Sequence, residues 1–270
     1  MKLTVSIVTY HTDTDELRRC LASLTSPAIG RIIIIDNGAE PRIGAIAAGE
    51  GARVEYHASA NVGYGAAHNR AIRRAMELGA DYHLVLNSDV CFEPQVIDRL
   101  LDVLDRRPEV GQLQPRVVYP DGRLQYTVRL LPTPLDVFAR RFLPGRLFRG
   151  RNDRYTLKVL DHTREMNPPS HQGSFMLLRM NSLHDVGLFD ERYFMYPEDI
   201  DLTRRMHRRY TTLYYPAETI VHDHRAGSYH SLRLLWIHCV NMIRYFNKWG
   251  WFIDRERREV NRRLLRENSQ

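Results

Sequence analysis

A short apolar run, Leu84-Val85-Leu86, stops abruptly at three polar residues, Asn87-Ser88-Asp89. A run this short, with no polar alternation, fits a strand buried on both faces and so a sheet covered by helices on each side. In open sheets of that kind ligands bind just beyond the carboxyl ends of the strands, which places Asn87, Ser88 and Asp89 where they would face one. A lone strand-end aspartate can equally cap the segment that follows. The deciding question is whether other strands end in the same way.

Two earlier segments do. Leu3 to Val8 is β-rich and ends at Thr9-Tyr10-His11, and Arg31 to Ile35 is a continuous apolar run ending in Asp36-Asn37-Gly38. Between them Leu17, Leu21 and Leu24 are spaced for one face of a helix. Val54 to His57 reads as a third strand, followed by Asn61-Val62-Gly63-Tyr64-Gly65 and an alanine-rich helix that stops near Gly79. Strands alternating with helices at this spacing predict an α/β fold, a mostly parallel central sheet flanked by helices. Glycines ahead of a helix let a phosphate approach backbone N–H groups, or simply ease a tight turn. The dinucleotide fingerprint does not apply, because the turn follows the third strand and has His68 in place of the third glycine. An NAD-dependent dehydrogenase is disfavoured accordingly.

Farther along, residues 94–104 read as a helix and 110–119 as a strand ending in a Pro120-Asp121-Gly122 turn. Residues 130–154 mix prolines, phenylalanines and arginines 140, 141, 146, 149, 151 and 154, which suits a solvated loop or an anionic membrane interface. Residues 170–178 form a glycine turn, at Gly173, entering an apolar strand. Pro197 then precedes Glu198, Asp199 and Asp201; proline suits a first helical position, and carboxylates in a first turn suit its positive end. Residues 219–224, TIVHDH, read as a strand whose period of two sends His222 and His224 to one face, as metal ligands or as hydrogen-bonded structural histidines.

The net charge of +7 is carried almost wholly by arginine, a fork of donors suited to phosphate, so an anionic partner is expected. Nucleic acid is the weaker choice, because no helix-turn-helix or RNA-binding aromatic motif is present. Cys20, Cys91 and Cys239 are odd in number and far apart, which fits a reducing cytoplasm better than a disulfide framework. The N-terminus reads as a first strand, not a signal peptide. Residues 232–253 carry Leu234, Leu235, Trp236, Ile237, Trp249, Trp251 and Phe252 but are interrupted by Arg233, Arg244 and Lys248. That pattern excludes a span and permits either an interfacial helix or a helix packed on the body of the protein.

The ordered set VSIVTYH, IIIIDNG, NVGYGAAHN, LVLNSD, HQGSFMLLR, VGLFDERYFMYPEDIDLTRR and IVHDH resembles glycosyltransferase family 2, inverting enzymes of the GT-A fold, and within it bacterial rhamnosyltransferase-like members. The resemblance covers roughly residues 3 to 225 and implies a GT-A domain over 1–225 with a C-terminal helical extension over 226–270. It implies a nucleotide-sugar donor held by Thr9, Tyr10, Asp36, Asn61, Gly63, Asn87, Ser88 and Asp89, with dTDP-rhamnose favoured over UDP-hexoses. Asp89 is the last residue of the DxD position, whose first Asp is Asn87 here, and with His222 it is expected to bind Mg2+ or Mn2+; His224 is the second choice. Asp199 is the expected base, with Glu198, Gly173 and Tyr196 on the acceptor side. The acceptor is expected to be a saccharide or polyprenyl-linked sugar, met at the inner face of the cell membrane. Displacing a nucleoside diphosphate needs a cation for the leaving phosphates and a carboxylate for the acceptor's proton, and the sequence offers both. A non-catalytic nucleotide-sugar binding module is the alternative.

Overall fold

The computed structural model describes residues 1–142, 148–223 and 232–268, with the side chains of 139–142 and of 232 excepted. Ten strands run in chain order: β1 (Leu3–Thr9), β2 (Ile29–Asp36), β3 (Val54–Ala58), β4 (Tyr82–Leu86), β5 (Val90–Cys91), β6 (Val110–Val118), β7 (Val128–Arg129), β8 (Ser170–His171), β9 (Phe175–Arg179) and β10 (Thr211–His222). The helices are α1 (Thr14–Ser23), α2 (Pro41–Gly49), α3 (Tyr64–Glu77), α4 (Val96–Arg106), α5 (Pro134–Phe142), α6 (Arg149–Tyr155), α7 (Met180–Val186), α8 (Glu198–His207), α9 (Leu232–Trp249) and α10 (Arg255–Glu267).

Eight strands form one sheet in the order β3-β2-β1-β4-β9-β6-β10-β5, and β7 pairs with β8 beside it. The expected parallel arrangement holds from β3 to β4 and between β6 and β10. The sheet is nevertheless mixed, because β9 runs antiparallel to both β4 and β6, and β5 antiparallel to β10. The four consecutive isoleucines of β2 explain why its run is unbroken. Ile32 and Ile34 pack beneath α1, α2 and α4, whereas Ile33 and Ile35 pack against Ala67 and Ala71 of α3 on the other face. Every residue of β4 is buried for the same reason. Each such side chain withdrawn from water contributes roughly 1.5–3 kcal/mol.

Two elements depart from the sequence-based expectation, and a third settles an open alternative. Helix α2 was not anticipated; only Ile43 and Ala47 of it are buried, so it carries almost no periodic signal. The arginine-rich stretch contains α5 and α6 rather than a loop, and Arg151, still exposed, pairs with Asp136 at 2.6 Å; residues 143–147, with Arg146, lie outside the described residues. Helix α9 packs on the body through Met242, Tyr245 and Phe246, all buried against Tyr193. Arg204 of α8, 2% exposed, makes two bonds of 2.9 Å to Asp254 and locks the start of α10 to α8. Among the described residues, no helix is long and apolar enough to cross a membrane.

Candidate active site

The strand ends on the expected donor side are brought together. Thr9 and Asp36 close β1 and β2 in register. Thr9 Oγ1 donates to Asp36 Oδ1 at 3.0 Å, as does the Gly38 N–H at 3.0 Å, while Oδ2 accepts from the Glu40 N–H at 2.6 Å and the Tyr56 hydroxyl at 2.8 Å. A carboxylate offers about four acceptor positions, so that of Asp36 is filled from within and holds the turn after β2. Tyr10, 49% exposed, and His11 are side chains at this edge that solvent or a ligand can reach.

The glycine turn is also used internally. Asn61 Oδ1 accepts from the Gly63 N–H at 3.1 Å, and the Tyr64 N–H donates to the Phe194 carbonyl at 3.0 Å. Gly63 has φ +94°, and a Cβ there would stand 2.4 Å from Phe194 O. Glycine is required because two backbones meet, not because a phosphate does; the N–H groups of 63 and 64 are already engaged. The contact joins the start of α3 to the segment that leads into α8.

At the end of β4, the half-buried Ser88 turns the chain into β5, whose pairing with β10 sets His222 opposite Val90. His222 Nε2 thereby lies 3.3 Å from Asp89 Oδ1, with the ring fully buried. The Gln125 amide fixes the tautomer. Its NH2 donates to the His222 carbonyl at 2.6 Å, so its oxygen, 2.9 Å from His222 Nδ1, accepts the Nδ1 proton. In a neutral ring the Nε2 lone pair then faces a carboxylate oxygen, and Asp89 Oδ1 is buried with no hydrogen-bond donor among the described residues. Two acceptors at this distance call for a cation between them or a proton on the imidazole, and a carboxylate plus a Gln-oriented histidine fit a divalent ion. Among the described residues no group of three histidine, cysteine or acidic side chains is assembled, so the remaining ligands would be phosphate and water oxygens. His224 lies outside the described residues.

Across from this pair, α8 begins at Glu198, with Pro197 as its cap and not its first residue. The three acids are separated in function by their surroundings. Asp201 is fully buried, held by Arg205 at 2.9 Å, Lys248 at 2.6 Å and the Trp249 indole N–H at 2.7 Å, which is a structural role. Asp199 is half-buried; Oδ1 accepts from the Ile200 N–H at 2.7 Å and Oδ2 from the Gly173 N–H at 2.9 Å. A helix N-terminus depresses a carboxylate's pKa, yet burial outweighs that and those two bonds and pushes Asp199 up to about 6. Burial, then the adjacent Asp199, pushes Glu198 well above the ordinary range, so Glu198 is the member of the pair that keeps a proton. Tyr196 sits two residues ahead with φ +99°, a strained conformation for a tyrosine, its ring edge-on to His238 at 4.9 Å.

One residue that sequence reasoning passed over connects the two halves. The Tyr64 hydroxyl donates to the Gly173 carbonyl at 2.7 Å and lies 2.9 Å from the Asn87 side-chain amide. With the single phenolic proton on Gly173, the amide completes the pair by presenting its NH2 to the phenol. The chain Asn87–Tyr64–Gly173–Asp199 therefore runs from the loop that carries Asp89 to the first turn of α8. Its signal in the sequence was an aromatic residue between two glycines, hidden by attention to the glycines.

Comparison with known proteins bears on the family and the fold. An L-rhamnosyltransferase of Mycobacterium tuberculosis, N-acetylglucosaminyl-diphospho-decaprenol L-rhamnosyltransferase, is 35% identical over 184 residues, which is 63% of this chain and 58% of that protein. The chain thus spans less than two thirds of that relative. Similar folds occur in GalNAc-T7 crystallised with UDP, GalNAc and Mn2+ (TM-score 0.62, 14% identity, 83% of this chain and 43% of that one). They also occur in the mannosyltransferase PcManGT of Pyrobaculum calidifontis with GDP-Man and Mn2+ (TM-score 0.59, 16% identity, 90% and 64%). The mixed sheet with its flanking helices is the GT-A fold. Residues 4–187 match the sequence profile described as Glycosyl transferase family 2, and the chain belongs to that family.

Proposed function

We propose that the protein is an inverting glycosyltransferase that moves rhamnose from dTDP-rhamnose to a lipid-linked GlcNAc diphosphate. The observation that carries the reading is that one hydrogen-bond chain ties Asn87, two residues before Asp89, to Asp199, whose pKa is pushed up to about 6. The acceptor follows from the substrate named for the mycobacterial relative. Asp89 and His222 would hold Mg2+ or Mn2+, which would offset charge on the departing diphosphate. Asp199 takes the proton of the attacking hydroxyl, while Glu198 stays neutral beside it. Attack comes from the face opposite the leaving group, and the transition state has oxocarbenium character.

Tyr64 sets the spacing between the leaving-group side and the base. Tyr64→Phe is expected to lower kcat about tenfold, the scale of one lost buried hydrogen bond, with the KM for donor little changed. Steady-state kinetics checks this; an equal loss for Tyr64→Phe and Tyr64→Leu would point to packing alone.

A thermal-shift panel of nucleotide sugars tests the donor. A ligand at about 100 times its Kd adds roughly 2.7 kcal/mol of stability. The largest shift is expected with dTDP-rhamnose and a divalent cation, and a larger shift with a UDP-hexose would overturn the donor assignment in favour of a UDP-hexose transferase.

A further inference from the structure

The C-terminal helices carry a surface that the proposed reaction does not use. Part of the α9 face expected at a membrane interface is spent on packing. Trp249, for instance, lies under the guanidinium groups of Arg204 and Arg208 at 4.1 and 4.6 Å. Trp236 of α9 stays 71% exposed, and at the tip between α9 and α10 Phe252 is 75% and Ile253 80% exposed. The tip is not loose. Gly250 turns it with φ +99°, Asp254 caps α10 through the Arg257 N–H at 2.9 Å, and that same carboxylate holds Arg204.

Helix α10 turns Arg257 and Leu264 inward; Arg255, Arg258, Arg262, Arg263 and Arg266 face outward together with Glu259 and Glu267, which leaves the surface net basic. Arg258 also donates to the Phe252 carbonyl at 3.0 Å, which joins the basic face to the apolar tip. We propose that this tip and the outward face of α10 dock on an anionic lipid bilayer, the two apolar side chains entering the headgroup boundary and the arginines meeting lipid phosphates. The combination chooses the occupant. Nucleic acid would use the arginines and leave Phe252 and Ile253 in water, and a second copy would bring two arginine rows together.

The position agrees with the proposed acceptor, on which the purpose of docking rests. The Trp249 indole is bonded to Asp201, two residues beyond Asp199 on α8, so the tip is anchored to the helix that carries the proposed base.

The test is flotation of the purified full chain with vesicles of phosphatidylcholine alone or mixed with phosphatidylglycerol, neither containing acceptor. Flotation with the anionic vesicles only, weakened at high salt, is expected. Phe252→Ser with Ile253→Ser should reduce it at least tenfold, and Arg258→Glu with Arg262→Glu should abolish it. Donor-induced thermal shifts should be unchanged in both variants, which shows that they fold. No flotation at low salt, equal flotation of the Ser variant, or a wild-type dimer that the Ser variant dissociates would overturn the proposal. Transfer to a short-chain, water-soluble acceptor is measured separately. Its absence would count against the proposed reaction while leaving the vesicle result intact.

Discussion

Asp199→Asn is expected to lower kcat by about 10² to 10⁴, the usual contribution of a positioned general base, while donor affinity stays near wild type. The melting temperature should not fall and should rise at neutral pH. The sign follows from the direction of the pKa shift. The folded state raises the Asp199 pKa to about 6, so the fold disfavours the ionised form and loses stability as pH climbs from the ordinary aspartate range through about 6. An amide removes that ionisation and can still accept the Gly173 or Ile200 N–H. Activity should have the opposite pH trend, rising through about 6 as the base loses its proton, and Asp199→Asn should lack that limb. Glu198→Gln should cost less, because Glu198 is already neutral and an amide imitates its protonated form. Kinetics of the two variants against pH, with melting curves, checks all three statements. Near wild-type transfer by Asp199→Asn would pass the role to Glu198.

The second large effect concerns the Asp89–His222 pair. Removing bound metal with EDTA is expected to abolish transfer, and Mg2+ or Mn2+ to restore it. Asp89→Asn should lose at least about 10² in kcat, as expected when a hard-ion ligand becomes a neutral amide. It should nevertheless fold well. The asparagine NH2 can donate to the His222 Nε2 lone pair that faces Asp89 Oδ1 at 3.3 Å, turning two opposed acceptors into a donor and an acceptor. A stable but inactive Asp89→Asn thus separates ion binding from structural pairing. Undiminished transfer in excess EDTA after metal removal would refute the metal requirement.

The parts of this protein that could be read from sequence are those where one local pattern has one physical outcome. Four isoleucines in a row can only be a strand covered on both faces, and the polar residues that stop such strands mark the edge where β1, β2 and β4 end. Helix α2 was missed because Gly44 and its alanines bury too little to leave a periodic trace. The pairing of Asp89 with His222 depends on a two-residue strand, β5, too short to be signalled. The raised pKa of Asp199 could not be read, because a helix terminus is visible in sequence whereas the burial that overrides it is not. For α9 the same periodicity serves a membrane interface and a protein core, and only Tyr193 and Phe246 meeting in space decide for packing. Tyr64 shows the same limit, since Gly173 lies 109 residues away along the chain.

The most direct test is transfer itself: purified protein, radiolabelled dTDP-rhamnose, a divalent cation and a GlcNAc-diphospho-polyprenol acceptor. The expected result is a labelled lipid product with inverted anomeric configuration, lost with Asp199→Asn and with EDTA. No labelled product from a protein that binds the donor, or a product formed equally by Asp199→Asn, would contradict it.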